Sequence, residues 1–338
     1  MRKVAVMIRT NRAKAFGLII GVFVIAALIW SSIVLGLTKV SAQMVYDAIY
    51  HFDGSNEHII IQDTRIPRAF IAAAVGASLA VAGAIMQGLT HNPLASPGIL
   101  GINAGASFFV VFGISFLGLS SLTAFTWLAF LGAAVASVVV YVFGSMGSEG
   151  LTPIKITLAG AAIAAMFSSM TQGMLTLDER ALDQVLFWLA GSIQGRDLEI
   201  LLSVLPYLVV GWFISLMFGK QMNVLAMGED LAKGLGQKTL LVKITGAVII
   251  VLLAGGSVAI AGPIGFVGII IPHFARWLVG IDYRWVIPYS ALLGAILLLT
   301  ADIGARYILM PAEVPVGVMT AIVGAPFFVY IARRGINE

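Results

Sequence analysis

Few residues of this chain could do chemistry, and none stand at a spacing that would let them act together. The four histidines, His51, His58, His91 and His273, are scattered, and no H-E-x-x-H pair presents two imidazoles to a metal from one helical face. No G-x-x-x-x-G-K-[ST] loop is present to cradle phosphates, and Gly219-Lys220-Gln221 lacks its frame. Cysteine is absent, which removes disulfides, thiolate metal sites and thiol nucleophiles. Hydrolysis lacks both a metal and a nucleophile, so no catalytic residue, metal ligand or cofactor is assigned.

What remains are charges in unusual places. Arg65 and Arg68 precede one uncharged stretch and Arg306 follows another, on the side where topology disfavours them. Guanidinium groups pair bidentately with carboxylates, which suits an acidic docking partner or an anionic ligand. The alternative is snorkelling and local pairing with Asp63 or Asp302. A second island is the loop Met222–Lys238. Glu229 and Asp230 favour a helix N-terminus, Lys233 its far end, and Gly234 and Gly236 a stop. A short helix exposing Leu225, Leu231 and Leu235 needs a partner groove, or else lies on lipid.

The elements that must position these residues are membrane spans. Residues 69 to 148 contain no Lys, Arg, Asp or Glu across 80 positions, and only His91 could carry charge. A span needs about 20 apolar residues, so this stretch holds three, broken at His91–Gly98 and Gly118–Ser121. With 60% hydrophobic residues, 11% charged and a mean hydropathy of +1.02, the chain reads as one polytopic all-α domain, residues 1–338. Uncharged windows predict ten helices near 16–37, 67–88, 98–117, 121–144, 154–177, 199–218, 239–260, 264–279, 286–305 and 314–332. The eighth should be short or broken, because Gly262-Pro263 and Pro272 interrupt it. The first, 24 uncharged residues from Ala15 to Thr38, is too long for a signal-peptide core and reads as a retained helix. Placing both termini in the cytoplasm puts 14 of the 20 Lys and Arg inside, as the positive-inside rule asks. The basic pI of about 9.4 then reflects topology rather than nucleic-acid binding. Span interiors without ionisable groups give an ion-coupled carrier nothing to work with. Transport driven by ATP on another subunit is the expected reading, with a stand-alone secondary transporter and a membrane enzyme as rivals.

Several motifs resemble those of the FecCD-type permeases. They are Arg65-Ile66-Pro67-Arg68, the run Val75 to Gly83 ending in Gln87, Asn92-Pro93-Leu94-Ala95-Ser96-Pro97, and Ala261 to Gly268 through Pro272-His273 and Arg276. Ala301-Asp302 with Arg306, Glu313 to Val318, and Gly324 to Phe328 complete the set. Such proteins are membrane subunits of bacterial ABC importers for ferric siderophores, haem and cobalamin. The resemblance implies a multi-pass protein of the cytoplasmic membrane that pairs with a second copy or a sister permease. Two ATP-binding subunits would sit below it and a solute-binding protein above. It implies that Arg65, Arg68 and Arg306 receive acidic residues of the binding protein. Coupling to the ATPase falls on Gly228, Glu229, Asp230, Ala232, Leu235 and Gly236, and the inner gate on Asn92 and Leu94. The fifth helix would line the pathway through a polar track of Thr157, Gly160, Ala164, Ser168, Thr171 and Gln172, which residue type alone reads equally well as small-residue packing. A ferric siderophore is the leading cargo, with haem and cobalamin behind. His273 is expected to make a structural hydrogen bond and no ligand contact.

Overall fold

The computed structural model describes residues 7–36, 40–146, 152–310 and 312–336, and among them every regular element is helical. Helix α1 (Asn11–Val34) begins where the Thr10 hydroxyl accepts from Ala13 N at 3.2 Å. A short helix α2 (Ala42–Tyr50) follows, burying Val45 and Ala48. The next crossing is continuous for 35 residues, Asn56–Thr90. It consists of α3 (Asn56–Ile59), one π-helical turn (Ile60–Arg65) and α4 (Ile66–Thr90). The remaining helices are α5 (Ile102–Leu117), α6 (Leu122–Ser145), α7 (Pro153–Leu177), α8 (Glu179–Leu189) and α9 (Leu198–Leu225). After these come α10 (Glu229–Gly234), α11 (Thr239–Ile250), a π turn (Val251–Gly255) leading into α12 (Gly256–Ala261), then α13 (Val267–Val279), α14 (Tyr283–Ile308) and α15 (Val316–Ile336).

Seven of the helical runs are long and apolar enough to cross a bilayer, and three shorter apolar helices occupy Ile102–Leu117, Val267–Val279 and Val316–Ile331. Each of the ten windows read from sequence lies on one of these, although Arg68, Lys155, Glu199, Lys243, Arg276 and Asp302 fall inside them. The eighth is short, as its glycines and prolines suggested: α13 has 13 residues. Two helices had no forewarning. Both α2 and α8 are short and amphipathic, so an apolar window cannot register them.

Helix α4 is the axis of the bundle, packed on α14, α13, α9, α11 and α1. Its Gly and Ala residues make that possible. A Cβ at Gly76 would collide with the Gly294 carbonyl of α14, and one at Gly83 with the backbone of Gly268 in α13. Close backbone approach of this kind replaces the hydrophobic drive that lipid does not supply. A second group, α5, α6 and α7, packs together beside it. Helices α1 and α7 keep most of their surface outward.

Proline and glutamine together fix α13. Pro272 lies inside that helix and has no N–H, which leaves the Gly268 carbonyl without its helical donor. The buried Gln87 amide of α4 supplies one, with Nε2 3.3 Å from Gly268 O and 3.2 Å from Ile269 O.

Candidate functional site

At one end of the bundle the three singled-out arginines converge, all buried, at 4%, 5% and 3% exposure for Arg65, Arg68 and Arg306. Arg68 Nε donates to Asp302 Oδ1 at 2.8 Å and its Nη1 to Glu313 Oε2 at 2.5 Å. Arg306 Nη2 donates to the other Asp302 oxygen, also at 2.5 Å. Of the two local partners considered, Asp302 is used, and the described ion pairs of this cluster run to Asp302 and Glu313. The other bonds close the end of α1. Arg65 Nη1 donates to the carbonyls of Ile33 and Val34 at 2.7 and 2.9 Å, and Arg306 Nη1 to those of Ser32 and Leu35 at 2.6 and 2.9 Å. The last four carbonyls of a helix have no intrahelical donor and form the negative end of its dipole, so two cations there satisfy both needs.

This geometry corrects the expectation that the spans hold no charge. Arg65 and Arg68 lie inside the long crossing, and Asp302 is fully buried within α14. Hydropathy marks only the lipid-facing core of a span, whereas these charged groups are held inside the bundle by ion pairs and by hydrogen bonds to the end of α1.

At the opposite end, the loop read from sequence is a helix. Gly228 starts α10 at φ +115°, a conformation that favours glycine. Glu229 then accepts from Lys243 Nζ of α11 at 2.7 Å and sits 3.2 Å from Lys233 Nζ. Burial pushes the Glu229 carboxyl up, but bonds from Lys243 and Lys233 outweigh it and hold the group below its ordinary value. Ala232 is fully buried and its carbonyl accepts from Gln237 N at 2.9 Å, while Asp230 is exposed. Leu231 and Leu235 are exposed, at 60% and 68%. Leu225 is not; it is fully buried, because the last turn of α9 packs into the core before the chain leaves it. Met227, 63% exposed, takes its place on the open apolar face. Gly236, at φ +81°, turns the chain towards α11.

The loop after α4 lies at this same end. His91 ends α4 in the left-handed region at φ 50°, and its Nε2 is 3.0 Å from the Leu225 carbonyl, so that nitrogen carries the proton. Asn92 Oδ1 accepts from Leu94 N at 2.9 Å, which sets a tight turn with Asn92 exposed and Leu94 half-buried. His273 behaves as expected, with Nδ1 3.1 Å from Ile269 O.

The track on α7 does not form one open face. Gly160 and Thr171 are buried: a Cβ on Gly160 would strike the Ile99 carbonyl, and Thr171 Oγ1 donates to Phe167 O at 2.7 Å. Ala164 is half-buried. Only Thr157, Ser168 and Gln172 are open. The six residues span an arc of about a third of a turn at 3.6 residues per turn, and the α5–α6 contact covers half of it. Small and polar identity flagged these residues, but identity alone does not say which side of the helix a neighbour covers.

Comparison with known proteins places this architecture. The sequence model of the FecCD transport family matches residues 23–334. The chain is 62% identical over 314 residues, covering 93% of itself and 94% of its relative, to the probable siderophore transport system permease protein YfiZ of Bacillus subtilis. It is 41% identical over 303 residues, 90% of each chain, to the ferric enterobactin transport system permease protein FepD of Escherichia coli. A solved structure described as an inward-facing conformation of a metal-chelate type ABC transporter superposes with a TM-score of 0.83 at 29% identity, covering 95% of this chain and 99% of the other. With the family's pattern running through nearly all of its helices, this multi-pass membrane protein belongs to the FecCD transport family.

Proposed function

We propose that this protein is the membrane permease subunit of an ATP-driven importer that carries a ferric siderophore into a bacterial cell. The observation that carries this reading is the 62% identity to a siderophore permease across 93% of the chain. Ten crossings, with both ends and α10 in the cytoplasm, agree with the distribution of Lys and Arg. The permease itself catalyses no reaction. Hydrolysis takes place on a pair of ATPase subunits docked on α10, where Met227, Leu231 and Leu235 form an apolar patch that a protein groove would cover.

A second permease subunit, identical or homologous, covers the outward face of α7, and the solute passes between the two copies along Thr157, Ser168 and Gln172. Asn92 and Leu94 close the inner end. At the outer end a solute-binding protein docks over Arg65, Arg68 and Arg306. The cluster gathers three guanidinium groups at that end, which suits an acidic partner. Because the guanidinium groups are engaged within the chain, they act on that partner chiefly by setting the sign of the rim.

Proteoliposomes test the proposal. Ferric siderophore uptake should require the ATPase subunit, the binding protein and ATP together. Uptake driven by an ion gradient, with no ATPase present, would sink it.

A further inference from the structure

Arg276 differs from the guanidinium groups that pair with carboxylates. Arg68 and Arg306 share Asp302, and Arg284 grips Asp282. Arg276 Nη2 donates to Gln87 Oε1 at 2.5 Å and lies 3.5 Å from His273 Nδ1, with the Tyr283 phenol nearby. Its neighbours are thus an amide, an imidazole and a phenol. Among the described residues no carboxylate oxygen comes within 4.0 Å of it. The side chain is half-buried, so its positive charge stays within reach of the surface with no counter-charge among the described residues.

This guanidinium faces a cavity of about 490 Å³ whose walls include His91, Asn223, Met227, Ile281 and Asp282. The one carboxylate there is engaged elsewhere. Asp282 accepts from Asn223 Nδ2 at 2.6 Å and from Arg284 Nη2 at 2.7 Å, and the bonds from Arg284 foremost hold its pKa at about 2, ionised and committed. The wall also takes in Pro93 of the loop after α4, between Asn92 and Leu94, while α7 contributes nothing, so the cavity sits beside the inner end of the solute path and away from its α7 lining. Met227 belongs both to this wall and to the apolar surface flanking α10. Whatever covers α10 therefore also covers the mouth of the cavity.

We propose that the Arg276 cavity is a socket for an aspartate or glutamate side chain of the ATPase subunit, forming a second attachment beside α10. The inference rests on the reading that the ATPase docks at α10. An incoming carboxylate meets a guanidinium already oriented by Gln87, can bind it through two parallel N–H···O bonds, and supplies the missing counter-charge. Apolar contact on α10 gives adhesion, and the charged socket fixes the angle at which the two proteins meet.

The test uses the permease–ATPase complex in nanodiscs. The chain has no cysteine, so Ile281→Cys, at a position 75% exposed on the cavity wall, gives its single thiol. A photo-crosslinker attached there should capture the ATPase subunit. Arg276→Met should weaken ATPase association at least about tenfold, while Arg276→Lys, which keeps the charge but loses the paired bonds, should weaken it less. Ile281→Glu, which places a carboxylate of this chain at the socket, should weaken association without disturbing the Gln87 network, and so covers the case in which Arg276→Met fails to fold. Crosslinks only to lipid or to a permease copy, or wild-type affinity in Arg276→Met and Ile281→Glu, would overturn the socket while leaving the α10 reading intact. Inorganic phosphate that binds the isolated permease and is lost in Arg276→Met would reassign the cavity to a small anion. If the wild-type complex forms normally after Met227, Leu231 and Leu235 are changed to serine, the α10 reading fails and takes the socket with it.

Discussion

Single residues carry large consequences where one buried polar group serves several partners. Asp302 accepts from two arginines that arrive from different helices. Asp302→Asn should lower the stability of the detergent-solubilised protein by about 3–5 kcal/mol, the range for removing one member of a buried ion network. Thermal unfolding followed by loss of monodisperse protein would show it, and an unchanged midpoint would mean that the cluster is solvated. Gln87 should behave similarly on a smaller scale. Gln87→Leu strands the Gly268 carbonyl that Pro272 leaves free, and should cost about 1–3 kcal/mol. Glu229 has its own pH signature. Its carboxyl lies below the ordinary 4.5 when folded, so its contribution is complete above that value and is lost as pH falls through the lower, folded value. The side chain is a third exposed, which limits the effect to about 1 kcal/mol or less. Hydrogen exchange of the α10 amides should stay constant from neutral pH down to about 5 and speed up below it, beyond the intrinsic trend; the Glu229→Gln variant should lack that step.

At the scale of elements, what decides stability is how closely backbones approach. Gly76 and Gly83 hold α4 against α14 and α13, and any side chain there must displace backbone rather than a flexible group. Gly76→Val should push α4 from α14 and destabilise by about 1–3 kcal/mol or more. Gly173 lies on the open face of α7, where an added Cβ would meet nothing within 4 Å, and Gly173→Ala should leave the unfolding midpoint of the single chain unchanged. Equal behaviour of the two variants would refute the packing account. Gly76 lies among Ala73, Ala74, Ala77 and Ser78 and Gly173 between Gln172 and Met174, but what an added Cβ would meet is set by the neighbouring helix alone. The π turn before α4 is a second feature of this scale. It lets one continuous helix carry Arg65 to the end of α1 while Arg68 faces α14, and no residue pattern announces it.

For the whole molecule, the open face of α7 can be mapped with the cysteine-free sequence as background. Single cysteines at Thr157, Ser168 and Gln172 should react with a small polar thiol reagent in the isolated permease and become shielded in the assembled importer. A cysteine at the buried Thr171 should be unreactive in both. Shielding by assembly that is absent at Ser168 would place the partner subunit elsewhere.

Much of this protein is written in its order of residues because a membrane punishes exposed charge. Eighty positions without Lys, Arg, Asp or Glu could only be spans, and the paired acids, lysine and glycines after α9 could only start and stop a short helix. That is local physics, decided by neighbours along the chain. Pairings between distant segments are a different matter. Whether Arg68 meets Asp302, whether Leu225 is covered while Met227 is not, and which half of the α7 track is open depend on helices far away in sequence. The unpartnered charge of Arg276 belongs to the same class. A lone arginine in an apolar helix is visible at once, but the absence of a counter-charge becomes a fact only when every helix around it has taken its place.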